Sequence, residues 1–142
     1  MSRPSLAVII STIESNLDSF ITHFSFKNLK NADEVIIVIQ GLKEKSVIPE
    51  LSSFKVINDP NYGLSSSRNI GIKNSSCDFI WFLDDDVVLI DDSIDKLKSH
   101  LEINDYFDCL IECDDDQGTC KRICKNLLNV GGWLPSFFCV KW

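Results

Sequence analysis

Three consecutive aspartates, Asp84, Asp85 and Asp86, interrupt an otherwise apolar run, WFLDDDVVL (81–89). Like charges at the end of a buried strand repel one another and lose hydration. A bound divalent cation would offset both costs. Carboxylate oxygens are hard ligands suited to Mg²⁺ or Mn²⁺, and Mg²⁺ is commonly held by one or two carboxylates together with substrate phosphates. If extended geometry continues through the triad, Asp84 and Asp86 point to one side and Asp85 to the other. The competing reading is a solvated turn that caps a helix starting near residue 91, because helix N-termini favour Asp.

A second constellation precedes the first. In NYGLSSSRNIGI (61–72), Gly63 and Gly71 permit unusual backbone angles or close approach, and Ser65, Ser66 and Ser67 supply hydroxyls. Arg68 is the only arginine between Arg3 and Arg122, and its planar fork suits phosphate or carboxylate. The competing reading is a capped surface helix with Arg68 as a solvated charge.

The surrounding pattern decides what positions these groups. LAVIIST (6–12), DEVIIVIQG (33–41), SFKVINDP (53–60) and DFIWFL (78–83) read as short strands rich in β-branched and aromatic residues. DYFDCLIEC (105–113) reads as a fifth. Leu17, Phe20, Ile21, Phe24 and Leu29 have helical spacing and predict one helix over 15–29. A loop running into a helix is expected over 63–75, and a helix over 91–104 with Ile94, Leu97 and Leu101 on its apolar side. Strands alternating with helices imply an α/β fold with a mainly parallel sheet flanked by helices. In such sheets ligands bind beyond the carboxyl ends of the strands. STIES, QG, NDPNYG and DDD all fall there.

Composition narrows the function classes. The chain has 142 residues, is 44% hydrophobic and carries a formal net charge of −7. That acidity argues against a nucleic-acid partner, which would require a basic face. No apolar run approaches the roughly 18 residues of a spanning helix, and the start lacks a signal-peptide pattern. The chain is therefore expected in the cytoplasm, with peripheral contact at the inner face of the membrane left open. The six cysteines are then expected to be reduced thiols. Cys109, Cys113, Cys120 and Cys124 are spaced too widely for an ordinary structural zinc site. Residues 1–113 are read as the ligand-binding core. Residues 114–142, ending in the Gly/Pro-broken aromatic run GGWLPSFFCVKW, are read as the start of a missing or reduced second region. An apolar edge there would favour self-association into a homo-oligomer.

The segment N-x-G-x-x-x-S-R-N-x-G (61–71), followed by DFIWFLDDDVVL (78–89), resembles the nucleotide-binding half of family 2 glycosyltransferases of the GT-A fold. AVIISTIES (7–15) resembles the first strand and turn of that family. The resemblance implies a Rossmann-like nucleotide-binding sheet, a nucleotide-sugar donor, in particular a UDP-sugar, and a saccharide or lipid-linked acceptor. It also implies Mn²⁺ or Mg²⁺ held by Asp86 and Asp84. By the same resemblance Asp84 contacts the donor's ribose or sugar, Asp85 assists, Arg68 lies near the phosphates, and Ser11, Thr12 and Glu14 line the base and ribose pocket. Two departures stand out. Gln40 occupies the place where relatives carry a base-reading Asp. No acidic pair follows residue 116 to serve as the general base that would deprotonate the acceptor. The alternative is a truncated or degenerate domain that binds nucleotide or acts as an interaction module without catalysis.

Overall fold

The computed structural model of the chain describes residues 4–42, 47–101 and 139–141. Its strands are β1 (Leu6–Ile13), β2 (Glu34–Gln40), β3 (Lys55–Asp59), β4 (Phe79–Asp84) and β5 (Cys139–Lys141). Its helices are α1 (Leu17–His23), α2 (Leu64–Lys73) and α3, helical over 93–101. The strands form one sheet in the order β3-β2-β1-β4-β5. The first four in that order are mutually parallel, and β5 runs antiparallel to β4. The α/β class with a mainly parallel sheet is thus the observed one.

Burial on both faces explains the near-continuous apolar strands. On β1, Leu6, Val8 and Ile10 enter a core beneath α1 and α3, with Phe20, Ile37, Ile39, Trp81, Leu97 and Leu101. Ala7 and Ile9 enter the opposite core with Ile36, Val38 and Ile80, where Ile70 and Ile72 of α2 pack against them. The chain adds β2 and β3 on one side of β1, then returns through α2 to place β4 on the other. Strand order reverses at β1, and a crevice opens at such a reversal beyond the carboxyl ends of the strands.

The expected helix over 15–29 is corrected to three pieces: a 3-10 turn at Glu14–Asn16, α1, and a second 3-10 turn at Phe26–Leu29. Phe24 leaves the helix with extended angles, φ −72° and ψ 138°. In a continuous helix Phe24 and Phe26 would point to nearly opposite sides. The break lets both rings reach Phe20, with centroids 5.1 Å away in each case. Aromatic packing therefore overrides the helical spacing. β3 falls within the expected 53–60 and ends at the Asp-Pro step, and β1 extends one residue further than expected.

The expected fifth strand at 105–113, the four clustered cysteines and the boundary after residue 113 lie outside the described residues. Among the described residues, no helix is long and apolar enough to cross a membrane, and Cys77 is a free thiol.

Candidate functional site

Register brings the strand ends together. Ser11 lies beside Asp84, Ile13 beside Gln40, and Gln40 beside Asp59. Above them is an open cleft of about 480 Å³. Ser11, Thr12, Ile13 and Asn16 form its centre, Gln40, Tyr62, Gly63 and Leu64 one end, and Asp84, Asp85 and Asp86 the other. Of the residues singled out from sequence, Ser11, Thr12, Gln40 and the three aspartates thus share one cavity. Arg68 reaches it through Asp84. Glu14 is exposed in the 3-10 turn and is not part of the cleft lining.

The aspartates do not continue the strand. β4 ends at Asp84, and residues 85 and 86 form a turn closed by a 3.3 Å bond from Val87 N to Asp84 O. The expected alternation through the triad is corrected accordingly. Each carboxylate has its own environment, which relieves the repulsion that the bare sequence poses. Asp84 Oδ1 lies 3.7 Å from Arg68 Nη2. Asp85 Oδ2 accepts from Thr12 Oγ1 at 2.7 Å and from Asn16 Nδ2 at 3.5 Å. Asp86 is exposed on the cleft wall. Among the described residues, no three His, Cys, Asp or Glu side chains are grouped to hold a metal by themselves. The donor set still fits a hard divalent cation, because such an ion takes one or two carboxylates and completes its shell with water and phosphate oxygens.

The other wall is set by α2. Ser67 is fully buried and its Oγ donates to Ser11 Oγ at 2.6 Å. One turn later, Gly71 lies against Ile9, where an added Cβ would stand 2.5 Å from Ile9 Cγ2. These two small residues, four apart, seat α2 directly on β1. Arg68, between them in sequence, lays its guanidinium over the Phe82 ring, 5.3 Å from the centroid. The loop before α2 is tied down as well. Gln40 Nε2 donates to Gly63 O at 2.8 Å, and Asn61 N donates to Asp59 Oδ1 at 2.9 Å. One of the two N–H donors of the Gln40 amide is thus engaged with the loop.

Sequence reasoning missed Asn16, Tyr62 and Leu64 as cleft residues. Asn16 falls inside the helix expected over 15–29, and Tyr62 fills the variable position of N-x-G (61–63). The signal that could have found Tyr62 is its place between Asn61 and Gly63, in a loop already assigned to the strand ends. A second hollow of about 460 Å³ lies on the flank, lined in part by Lys27, Asn31, Asp92 and Asp95. Several of its polar groups are already paired: Asn31 Nδ2 donates to both Asp95 oxygens at 2.8 and 2.9 Å, and Lys96 pairs with Asp92 at 3.2 Å.

A parallel sheet with a strand-order reversal, a polar cleft at that point and an acidic turn on its rim define an α/β domain with a ligand site at its topological switch point. The family model for Glycosyl transferase family 2 matches residues 6–131, and the chain belongs to that family. A curated protein of Haemophilus influenzae described as an uncharacterized glycosyltransferase is 38% identical over 74 residues, which is 50% of this chain and 25% of that protein. Among solved structures, S. aureus TarS residues 1–349 superposes with a TM-score of 0.55 at 19% identity, covering 72% of this chain and 33% of that one. A longer TarS structure gives the same TM-score, with 20% of its chain covered. The TarS likeness establishes the fold. The chain spans a fifth to a third of the length of these relatives.

Proposed function

We propose that this chain forms the donor-binding part of a metal-dependent glycosyltransferase that moves a sugar from a nucleotide-sugar, UDP-linked, to a saccharide or lipid-linked acceptor. The observation that carries the reading is the single cleft joining Gln40 and Tyr62 at one end to Asp84–Asp86 at the other. Those ends are two strands apart across β1, roughly 10 Å at the usual interstrand spacing. That is the span of a nucleoside diphosphate laid across the sheet, with its base over β2 and its phosphates near the acidic turn.

In this arrangement Asp86 and Asp84 would hold Mn²⁺ or Mg²⁺, and the cation would supply charge neutralisation for the leaving nucleoside diphosphate. Asp84 also faces the donor's ribose or sugar. Thr12 and Asn16 orient Asp85, which leaves Ser11 and the backbone of the first turn for the ribose. Arg68, held against Phe82, supplies positive charge behind Asp84 and toward the phosphates. The catalytic base is not assigned among the described residues. The acidic surface has its place here: a cation between the carboxylates and a diphosphate lets two anionic partners associate.

Calorimetric titration of UDP, with and without Mn²⁺, beside an Asp86→Ala variant tests the reading. Mn²⁺-dependent binding that the variant loses supports it. A folded chain that binds UDP equally well without Mn²⁺, or not at all, removes it. Donor binding without transfer to any saccharide would favour the non-catalytic alternative.

A further inference from the structure

We propose that Tyr62 is the platform on which the nucleobase of the donor stacks. The inference rests on the reading of the cleft as a nucleotide-sugar site and extends it to a residue that no motif assigns.

Tyr62 lines the cleft yet leaves 68% of its surface exposed. Exposure of a single aromatic is ordinary at a protein surface and carries no argument by itself. This one is held. Its two neighbours are both tied, Asn61 N to Asp59 Oδ1 and Gly63 O to Gln40 Nε2. Gly63 O also accepts from Ser67 N at 3.0 Å, which joins the loop to α2. The hydroxyl end of the Tyr62 ring fills the space beside Gly41 that any side chain there would need. Gly41 itself has φ +83°, in the left-handed region that favours glycine. Gly41 N is fixed in turn by a 2.8 Å bond to Asp59 O. The ring is therefore seated before any ligand arrives, and little ordering entropy remains to oppose stacking.

Position selects the base over the other parts of the donor. The acidic turn stands at the opposite end of the cleft, so the phosphates and the sugar lie away from Tyr62. An acceptor approaches the sugar, hence that same distant end. What remains over β2 is the base, whose flat face matches an aromatic ring. The ring offers grip, while base identity is left to the hydrogen-bonding groups beside it. Such a platform tolerates several bases, because every base has a π-face.

The test is UDP affinity by calorimetry in Mn²⁺ for the wild type, Tyr62→Phe, Tyr62→Leu and Tyr62→Ala, with melting curves to establish folding. Stacking contributions measured by alanine substitution correspond to losses of about five-fold or more. Tyr62→Ala and Tyr62→Leu should show such a loss, and Tyr62→Phe should stay within about two-fold of wild type, since the ring rather than the hydroxyl makes the stack. Equal affinity in wild type and Tyr62→Ala overturns the platform and leaves the donor-site reading intact. A loss in Tyr62→Phe as large as that in Tyr62→Ala also overturns it, because the hydroxyl would then be the binding group. Failure of the folded wild type to bind UDP, CDP, ADP or GDP removes the site reading and the platform together.

Discussion

Thr12 and Asp85 stand 73 residues apart in sequence and are joined by a 2.7 Å hydrogen bond from Thr12 Oγ1 to Asp85 Oδ2. The bond ties the end of β1 to the acidic turn after β4. Thr12 is almost wholly buried and Asp85 is half-buried. The carboxylate is therefore presented by the fold rather than left to find its own orientation.

Replacing Thr12 with Val keeps the shape and deletes the hydroxyl. A hydrogen bond to a charged group contributes about 1.5–3 kcal/mol, and the lower end applies to a half-exposed acceptor. Urea unfolding should show Thr12→Val about 1.5 kcal/mol less stable, with Thr12→Ser recovering most of the loss. A change below about 0.5 kcal/mol would show that water replaces the bond at little cost.

Gly71→Ala sets two effects against each other. Alanine favours an exposed helix interior over glycine by about 1 kcal/mol. Here the new Cβ would lie 2.5 Å from Ile9 Cγ2 and 2.9 Å from Ile9 Cδ1, both in a buried strand. Overpacking of this kind costs about 1–3 kcal/mol, and the branched, enclosed Ile9 has no room to yield. Net destabilisation is the expected sign in urea unfolding. In an Ile9→Ala background, itself less stable, the added cost of Gly71→Ala should be smaller than in the wild type. Stabilisation by Gly71→Ala would contradict the close seating of α2.

Asp33 controls an acid-sensitive contact. Burial pushes its carboxyl up, but the Lys98 ammonium at 2.7 Å and the Leu6 N–H at 2.8 Å outweigh this and hold it below its ordinary value of 3.8. A depressed folded-state value means stability that is present above about pH 4 and lost as pH falls through the lower folded value. Asp33→Asn should therefore be less stable than wild type at neutral pH. The gap should close below pH 4, as measured by thermal unfolding across that range. A gap independent of pH would show that the charge is not what matters.

Arg68 should separate binding from stability. Its guanidinium lies 3.7 Å from Asp84, and both side chains are more than a third exposed. Such pairs contribute no more than about 1 kcal/mol, so Arg68→Ala should unfold almost as the wild type does. UDP affinity should nevertheless fall by about ten-fold, the equivalent of one lost charge-assisted hydrogen bond. Arg68→Lys should recover only part of it, because an ammonium lacks the planar fork. A variant that loses stability and binding in parallel would make Arg68 a structural residue.

β1, β2 and β4 were legible because both faces are covered and their residues read as near-unbroken apolar runs, whereas β3 (KVIND) at the sheet edge was marked by its β-branched pair and the Asp-Pro step that ends it. The convergence of Ser11, Gln40 and Asp84 followed from that topology. Two kinds of feature were hidden. Phe24 fits the spacing of a helix, and only its three-dimensional neighbours, Phe20 and Phe26, show why the helix breaks there. The roles of Thr12 and Tyr62 depend on partners distant in sequence, Asp85 and Gly41, and local pattern carries no trace of such pairings. Ser67 and Gly71 are an intermediate case. Their four-residue spacing puts two small side chains on one helix face, which marks close approach without saying to what.

The order of strands in the sheet also sets a timetable. β1 and the start of β2 are joined across 27 residues, through Leu6 and Asp33, while β1 and β4 are joined across 73, through Ser5 and Asp78. Closing the longer loop costs about 0.9 kcal/mol more in chain entropy. Synthesis from the N-terminus delivers β1, β2 and β3 first. The half that carries Thr12, Gln40 and Tyr62 can pair while the acidic turn has yet to leave the ribosome. A nascent chain is therefore expected to bring the acidic turn to the cleft only after β1, β2 and β3 are available to receive it.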